Sequence, residues 1–460
     1  MESPAIELNT LSYPSSGANT PGLSSTRSNS PTRTLFKHDA PEDAATLPPV
    51  DKGLGAWLFV LNAWFLETFI WGASFSYGIT QVSIGSVGTI ALAIQYMATL
   101  FLCQVFRRYP DKVKIMLWAA TLASVLGFLL SAFATQVWHL ILLQGVVCGS
   151  AGAVLYTPVL LWMSEWFHLK RGTVSGIIFS GTGVGGAVLP IFFNTMLQKY
   201  GFRWTFITWA LIVGVVFTGC VATIKPRLPM AKPNKGERGP FFPLDATFLR
   251  HPIVIVMTLT TFLSSLSFFP VSLYLSTYVE GLGTVTDATY VLVVFNSVAT
   301  AGQVITGIIS DRFPPWMITA TLGLASSTIA LTAWGTAKTV SQTFGLAVLF
   351  GAFSGICSTW TACARDVTGT NVQGSTLIIS MFGVARGTAS IVGPIIASKL
   401  FDERAVHDAS GWAAFGFRKI IIFVGCLAFA SGVSGGALAC FKGPNRKPRQ
   451  SSFGLAGGRR

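Results

Sequence analysis

Residues Trp166 to Gly185 read WFHLKRGTVSGIIFSGTGVG, a basic turn running straight into an apolar helix. Lys170 and Arg171 stand at its mouth, and Gly172, Gly176, Gly181 and Gly185 recur inside it at four- and five-residue steps. Glycine at that spacing takes the bulk off one helix face and lets a neighbouring backbone come close, a common way for helices to associate inside lipid. The charged mouth must stay in water while the glycine segment need not. The stretch therefore predicts a tightly packed membrane helix with its basic end at the membrane surface, a moving machine more than a catalyst.

Composition points the same way. The 460-residue chain is 51% hydrophobic and 11% charged, with a mean hydropathy of +0.59. A soluble domain carries about 25% charged residues, so this chain has too few polar groups to cover itself and takes the lipid bilayer as its solvent. The net charge of +14 does not point to nucleic acid. The basic residues sit between and beyond the apolar runs, where an excess of Lys and Arg marks cytosolic loops. Cys103, Cys148, Cys220, Cys357, Cys363, Cys426 and Cys440 lie in or at the ends of apolar runs without paired metal spacing. They are expected to be buried small hydrophobes. No signal-peptide pattern opens the chain, so the first spanning helix is expected to direct insertion.

Residues 1–54 are rich in Ser, Thr, Pro and Asn, cannot bury enough apolar surface to fold, and are expected to form a disordered cytosolic tail. Runs long enough to cross a bilayer then follow near 56–79, 84–106, 113–134, 138–163, 172–197 and 202–224, and again near 252–277, 286–309, 316–334, 341–364, 375–400 and 416–441. This predicts an N-terminal six-helix bundle over 55–224, a basic cytosolic linker over 225–251, a C-terminal six-helix bundle over 252–441 and a basic cytosolic tail over 442–460. With both termini in the cytosol, 24 of the 32 Lys and Arg residues fall on the cytosolic side and 7 on the outer side, leaving Arg386 within a span. That asymmetry sets the expected orientation.

Twelve helices in two halves, joined by a basic loop, resemble the major facilitator superfamily. The quoted stretch narrows the resemblance to the monocarboxylate porter branch, as found in fungi. That branch leads into its fifth helix with an aromatic-Phe-x-basic-basic-Arg signature, followed by glycines five and four residues apart. Trp166, Phe167, Lys170, Arg171, Gly176, Gly181 and Gly185 match it in register, with Leu169 in place of the first basic residue and Trp166 in place of a usual Tyr. The segment Asp51-Lys52-Gly53-Leu54-Gly55-Ala56-Trp57 is similar to the family's lead into the first helix, with Lys52 where Gly is expected. Tyr200-Gly201-Phe202-Arg203-Trp204 and Gly393-Pro394 also fit, and the resemblance covers residues 51–441.

Three departures stand out. Arg107 occupies the Asp position of the superfamily's Gly-x-x-x-Asp-Arg motif after the second helix, although the matching motif survives as Gly307 to Arg312 after the eighth. The link around Gln81 to Ser83 is very short for the family. Gln303 stands where many relatives carry an Arg that pairs with a carboxylate substrate. The resemblance implies an all-α membrane protein of the major facilitator fold, working as a monomeric transport unit on a small-molecule substrate, without a cofactor and with protons as the expected coupling ion.

Charge inside a membrane is expensive, so each intramembrane charged residue is a functional candidate. Two lie clearly within spans, Glu67 and Arg386. Glu67 shares a helix face with Trp64, Trp71 and Ser74. A carboxylate held out of water there either takes up and releases protons, or contacts substrate, or serves as a structural anchor to a neighbouring helix. Arg386, among Gly383, Gly387 and Ser390, either binds a substrate carboxylate or holds a helix–helix contact. Asn296 and Gln303 share a face of the eighth helix, and uncharged amides there fit a cargo held by hydrogen bonds rather than by a fixed ion pair. Tyr156 and Trp360 offer aromatic contacts or plain packing.

By the resemblance, Asp311, followed by Arg312, latches onto the turn at Arg171-Gly172, beside Lys170, when the cytosolic side is closed. The start of a helix carries unsatisfied N–H groups and partial positive charge. The missing carboxylate at Arg107 predicts unequal closure, leaning on the fifth-helix side. The expected function is a secondary active transporter, proton-coupled, for a small organic acid or related polar metabolite. Its first expected location is the plasma membrane, with an internal membrane as the second. The alternatives are an exporter of a fungal secondary metabolite and a non-transporting nutrient sensor on the same fold. The chain carries no His-rich metal cluster, nucleophile elbow or phosphate loop, and no enzyme activity is expected.

Overall fold

A computed structural model of the protein describes residues 47–76, 82–229, 241, 247–369, 371–402, 405, 411–413 and 415–441. Most of the expected N-terminal tail, much of the 225–251 linker, the link at Gln81, the basic tail beyond 441 and the side chain of Ser74 lie outside the described residues.

Among the described residues, 11 helices are long and apolar enough to cross a membrane. One of them, Arg171–Thr223, has 53 residues. At 1.5 Å per residue it would be about 80 Å long, far beyond a hydrocarbon core of about 30 Å. It is two spans. The chain reverses at Gly201, whose φ of 74° and ψ of 175° suit a residue without a Cβ. The twelve spans are α1 (Leu54–Ser76), α2 (Val82–Arg108), α3 (Val113–Ser131), α4 (Val137–Trp166), α5 (171–200), α6 (202–223), α7 (Pro252–Glu280), α8 (Val285–Ser310), α9 (Pro315–Trp334), α10 (Val340–Thr368), α11 (Val372–Leu400) and α12 (Arg418–Ala437). Their ends agree with the sequence-based spans to within a few residues. The start of α1 and the end of α12 lie at one end of the molecule, here called the tail side.

The outer faces are apolar. On α3, Ile115, Trp118, Leu122, Leu126 and Leu130 are all exposed at helical spacing, a stripe that only lipid covers without cost. The expectation that every cysteine is buried needs correcting. Five are buried, but Cys426 and Cys440 are exposed, because each projects from the outward face of its helix into the surface that lipid would cover.

Helix α5 holds the fold together, and it corrects a second expectation. Its glycines do not line one face. At 3.6 residues per turn, Gly181 and Gly185 point about half a turn away from Gly172 and Gly176. A methyl group added at Gly181 would lie 2.7 Å from the Trp64 carbonyl oxygen, and one at Gly185 would lie 2.6 Å from the Gly72 Cα, so these two face α1. A methyl added at Gly176 would lie 2.7 Å from the Gln303 carbonyl oxygen. One at Gly183 would lie 2.7 Å from that of Asn296, and one at Gly186 would lie 2.8 Å from the Asn296 side chain. Gly172, Gly176, Gly183 and Gly186 therefore face α8, in the other half of the molecule. The α1 contact lies within one bundle, and the α8 contact joins the two bundles along the tail-side half of α5.

The two glycine faces are expected to answer differently to substitution. Overpacking by a few methyl groups costs about 1–3 kcal/mol. Gly185→Val should lower thermal stability in every conformation. Gly176→Val should leave the folded yield near wild type and raise solvent access to the tail-side end of the α5–α8 seam, read by labelling of an introduced cysteine. Equal loss of folded protein in both variants would contradict this division.

Candidate functional site

Between the two bundles lies a cavity of about 780 Å³, open solvent at its mouth included. Its lining comes from α1, α2, α4 and α5 of the first half and α7, α8, α10 and α11 of the second; among the described residues, α3, α6, α9 and α12 contribute none. Glu67 and Arg386 both line it, one from each half. Each lies about 20 Å along its helix from the tail side, so both sit near the middle of a bilayer.

Glu67 is 4% exposed. Its Oε1 accepts a hydrogen bond of 2.5 Å from the Thr182 hydroxyl on α5. Its Oε2 closes no hydrogen bond of ordinary geometry, and the Tyr156 hydroxyl stands beside the carboxyl, near enough to pair with it. Trp64, from the same helix face, donates from Nε1 to the Ser180 hydroxyl at 3.3 Å. The carboxyl is thus fixed through one oxygen and open at the other.

Arg386 is 5% exposed and largely committed to protein. Its Nε donates to the Tyr96 hydroxyl at 3.0 Å and its Nη1 to the Ser265 hydroxyl at 3.2 Å. The guanidinium lies 5.1 Å from the centroids of both Phe268 and Phe269, near enough for cation–π attraction. Tyr96 belongs to α2, so the first of these bonds crosses from one bundle to the other. Tyr96 in turn packs on Trp71 at 4.1 Å between ring centroids, and Trp71 meets Tyr156 edge-on at 5.5 Å.

The amides are also engaged. Asn296 donates from Nδ2 to the carbonyl oxygens of Gly186 and Leu292, at 3.1 and 3.0 Å. The Ser358 hydroxyl lies 3.0 Å from both the main-chain and side-chain oxygens of Gln303. Trp360 packs edge-on against Phe179, and its Nε1 has no partner. The structure therefore brings Glu67, Arg386, Asn296, Gln303, Tyr156 and Trp360 to one cavity. Sequence reasoning missed Tyr96 and Thr182. A lone tyrosine amid the apolar residues of α2 was the available signal for Tyr96, whereas Thr182 had none, since threonine is common in these helices.

The α5 mouth lies at the tail side. Asp311, at the end of α8, accepts from the Gly172 amide at 2.8 Å and from the Thr173 amide and hydroxyl, each at 2.7 Å. The carboxylate meets backbone one residue further along than the expected Arg171-Gly172 turn. Arg171 is buried and turned away, donating from Nε to the Phe167 carbonyl at 2.7 Å and from Nη2 to that of Ser164 at 3.0 Å. Arg312 is exposed. A second carboxylate holds the other side of the turn. Asp51, at a φ of 61°, accepts from the amides of His168, Leu169 and Lys170 at 3.0, 3.1 and 3.3 Å. Burial, with the charge of Arg171 next, holds the His168 imidazole below its ordinary pKa, so this residue adds no charge to a turn that already carries two.

The pseudo-symmetric site differs. The start of α11 is capped by its own Asn371, whose side chain accepts from the Gly374 amide at 3.0 Å. Arg107, in the place of the missing carboxylate, donates to the Phe241 carbonyl at 3.1 Å.

Residues 53–394 match the sequence model of the Major Facilitator Superfamily. The chain is 28% identical over 338 residues to a transporter of this superfamily from Aspergillus flavus, covering 71% of this chain and 75% of that one. It is 25% identical over 434 residues to the aspyridones efflux protein of Emericella nidulans, covering 91% and 85%. It is 24% identical over 432 residues to the riboflavin transporter of Saccharomyces cerevisiae, covering 86% and 80%.

The two carboxylates at the α5 mouth should separate on mutation. A hydrogen bond to a charged group contributes about 1.5–3 kcal/mol. Asp311→Ala is expected to shift the balance between the two faces of the cavity at least about tenfold toward tail-side access, with little change in melting temperature. Asp51→Ala joins elements of a single bundle, so it should lower the melting temperature and leave the balance in place. Paired cysteine-accessibility and thermal-unfolding measurements on the two variants check both outcomes.

Proposed function

The chain belongs to the Major Facilitator Superfamily, and we propose that it is a secondary active transporter, coupled to protons through Glu67, that carries a small organic acid or related polar metabolite by alternating access. The observation that carries this reading is the mid-depth cavity with Glu67 on one half and Arg386 on the other. Two bundles rocking about such a site expose it to either side in turn. The Lys and Arg asymmetry supports a cytosolic tail side, and the Asp311 contact then makes this the conformation closed to the cytosol. Glu67 suits a proton carrier because it lines the cavity and one of its oxygens closes no hydrogen bond of ordinary geometry. Membership of the monocarboxylate porter branch is supported by the Trp166–Gly185 signature, and the plasma membrane is its expected place.

Export of a secondary metabolite is a second reading. Similarity to the aspyridones efflux protein, and to a fujikurins efflux protein of Gibberella fujikuroi at 28% identity over 323 residues, favours it. Alternating access runs both ways, and the gradient sets the direction.

Flux into proteoliposomes holding the full chain, with an imposed pH gradient and a metabolite panel, tests the proposal. Wild-type flux should follow the gradient. Glu67→Gln keeps the shape and loses the ionisable group, so its flux should become independent of the gradient and its driven accumulation should fall at least about tenfold. Undiminished, still gradient-dependent flux in that variant would remove Glu67 from the coupling role.

A further inference from the structure

We infer that the cavity takes a flat, conjugated metabolite, neutral or weakly acidic, whose ring carbonyl or enol oxygens accept hydrogen bonds from Trp71, Tyr156 and Trp360, and that it does not take a compact carboxylate such as lactate. The inference rests on the reading of this cavity as the cargo site and narrows the cargo.

The argument starts from which polar atoms are already used. A compact carboxylate needs a free cationic fork to offset its desolvation. Among the described residues, the one guanidinium lining this cavity has its Nε on Tyr96 and its Nη1 on Ser265, and it lies against the rings of Phe268 and Phe269. The Asn296 Nδ2 is spent on two carbonyls, and the Gln303 Oε1 is met by Ser358.

The polar atoms that remain form a pattern. Glu67 Oε2, Trp71 Nε1, Tyr156 Oη and Trp360 Nε1 are buried, have no hydrogen-bond partner, and belong to residues lining the one cavity. An unpaired buried polar atom costs about 1–3 kcal/mol, and four around one space mark where a ligand or water supplies the missing bonds. Both indole N–H groups donate only, and the Tyr156 hydroxyl, which stands beside Glu67, can donate to that carboxyl or to a ligand. The complementary ligand is therefore rich in acceptors. The rings of Trp71, Tyr96, Tyr156, Phe179, Phe268 and Trp360 supply the remaining wall. Aromatic rings pack against another ring system with a gain beyond simple area burial. A small aliphatic acid brings acceptor oxygens but lacks the flat area that these rings cover.

Equilibrium binding to the purified full chain tests the inference, with lumichrome and 4-hydroxycoumarin as flat probes and lactate and pyruvate as compact ones. At least one flat probe should bind, and a hundredfold excess of lactate or pyruvate should not displace it. Tyr156→Phe keeps the ring and removes one donor, while Trp360→Phe removes a donor and trims the indole to a single ring, so each should weaken binding about three- to tenfold. Their melting temperatures, read alongside, confirm that the variants are folded. Failure of both flat probes to bind, displacement by a compact acid, or unchanged affinity in both folded variants would overturn the inference. The transport reading fails separately: if a flat probe binds as described yet no metabolite crosses a proteoliposome membrane, the ligand class stands and the transporter assignment falls.

Discussion

The N-terminus of α5 is the point on which the architecture turns. A helix start presents amide groups without intrahelical partners and a partial positive charge, and here it lies at the edge of a low-dielectric medium. Two carboxylates meet it. Asp51 takes the amides of His168, Leu169 and Lys170, and Asp311 takes those of Gly172 and Thr173. The intervening Arg171 turns back and satisfies carbonyls at the end of α4. Asp51 comes from the same bundle as α5 and Asp311 from the other. One contact therefore sets the helix in its own half, while the other can be made and broken as the halves move. The glycines repeat that division along the helix, with one face closed on α1 and the opposite face on α8.

The interior obeys a related constraint. A charge at mid-membrane depth persists only where protein groups replace its hydration. Arg386 meets this through two hydroxyls and two aromatic faces. Glu67 meets it halfway, through Thr182 alone among the hydrogen bonds that close. The difference fits their separate parts in the proposed cycle. A group that must exchange a proton is served by an open lone pair, whereas a fixed positive charge is held by contacts in its own half, as Arg386 is by Ser265, Phe268 and Phe269.

Much of this was legible in the sequence, for physical reasons that differ by residue. The spans were readable because bilayer thickness imposes a length on each apolar run, and the reversal at Gly201 is visible as a Tyr-Gly-Phe-Arg-Trp interruption. Glu67 and Arg386 were readable because charge is rare inside lipid. The two-faced use of the α5 glycines was not taken from the spacing, although steps of four and then five residues carry it, since the fifth residue moves the side chain well round the helix. The Tyr96–Arg386 bond could not be read, because no local pattern says which residue of α2 will stand opposite a residue nearly three hundred positions away. The role of Asp51 was hidden likewise: the motif signalled its presence, but its partners are backbone amides that any sequence supplies.

The two seams between the bundles are built unequally, and this links gate to cargo. On the α5–α8 seam the closing interaction lies at the tail-side end, in Asp311, far from the cavity. On the α2–α11 seam Arg107 stands where the matching motif would place its Asp, and the start of α11 is capped by its own Asn371. What joins this second seam lies deeper: the Cys103 and Ser380 side chains meet at 3.4 Å, and above them Arg386 bonds Tyr96 in the cavity wall. A ligand stacked among Trp71, Tyr96 and Phe268 touches the residues that hold this seam shut. Cargo can therefore influence closure on both sides: on the α2–α11 side through Tyr96 and Arg386, and on the α5–α8 side through Asn296, which lines the cavity and bonds the Gly186 carbonyl of α5.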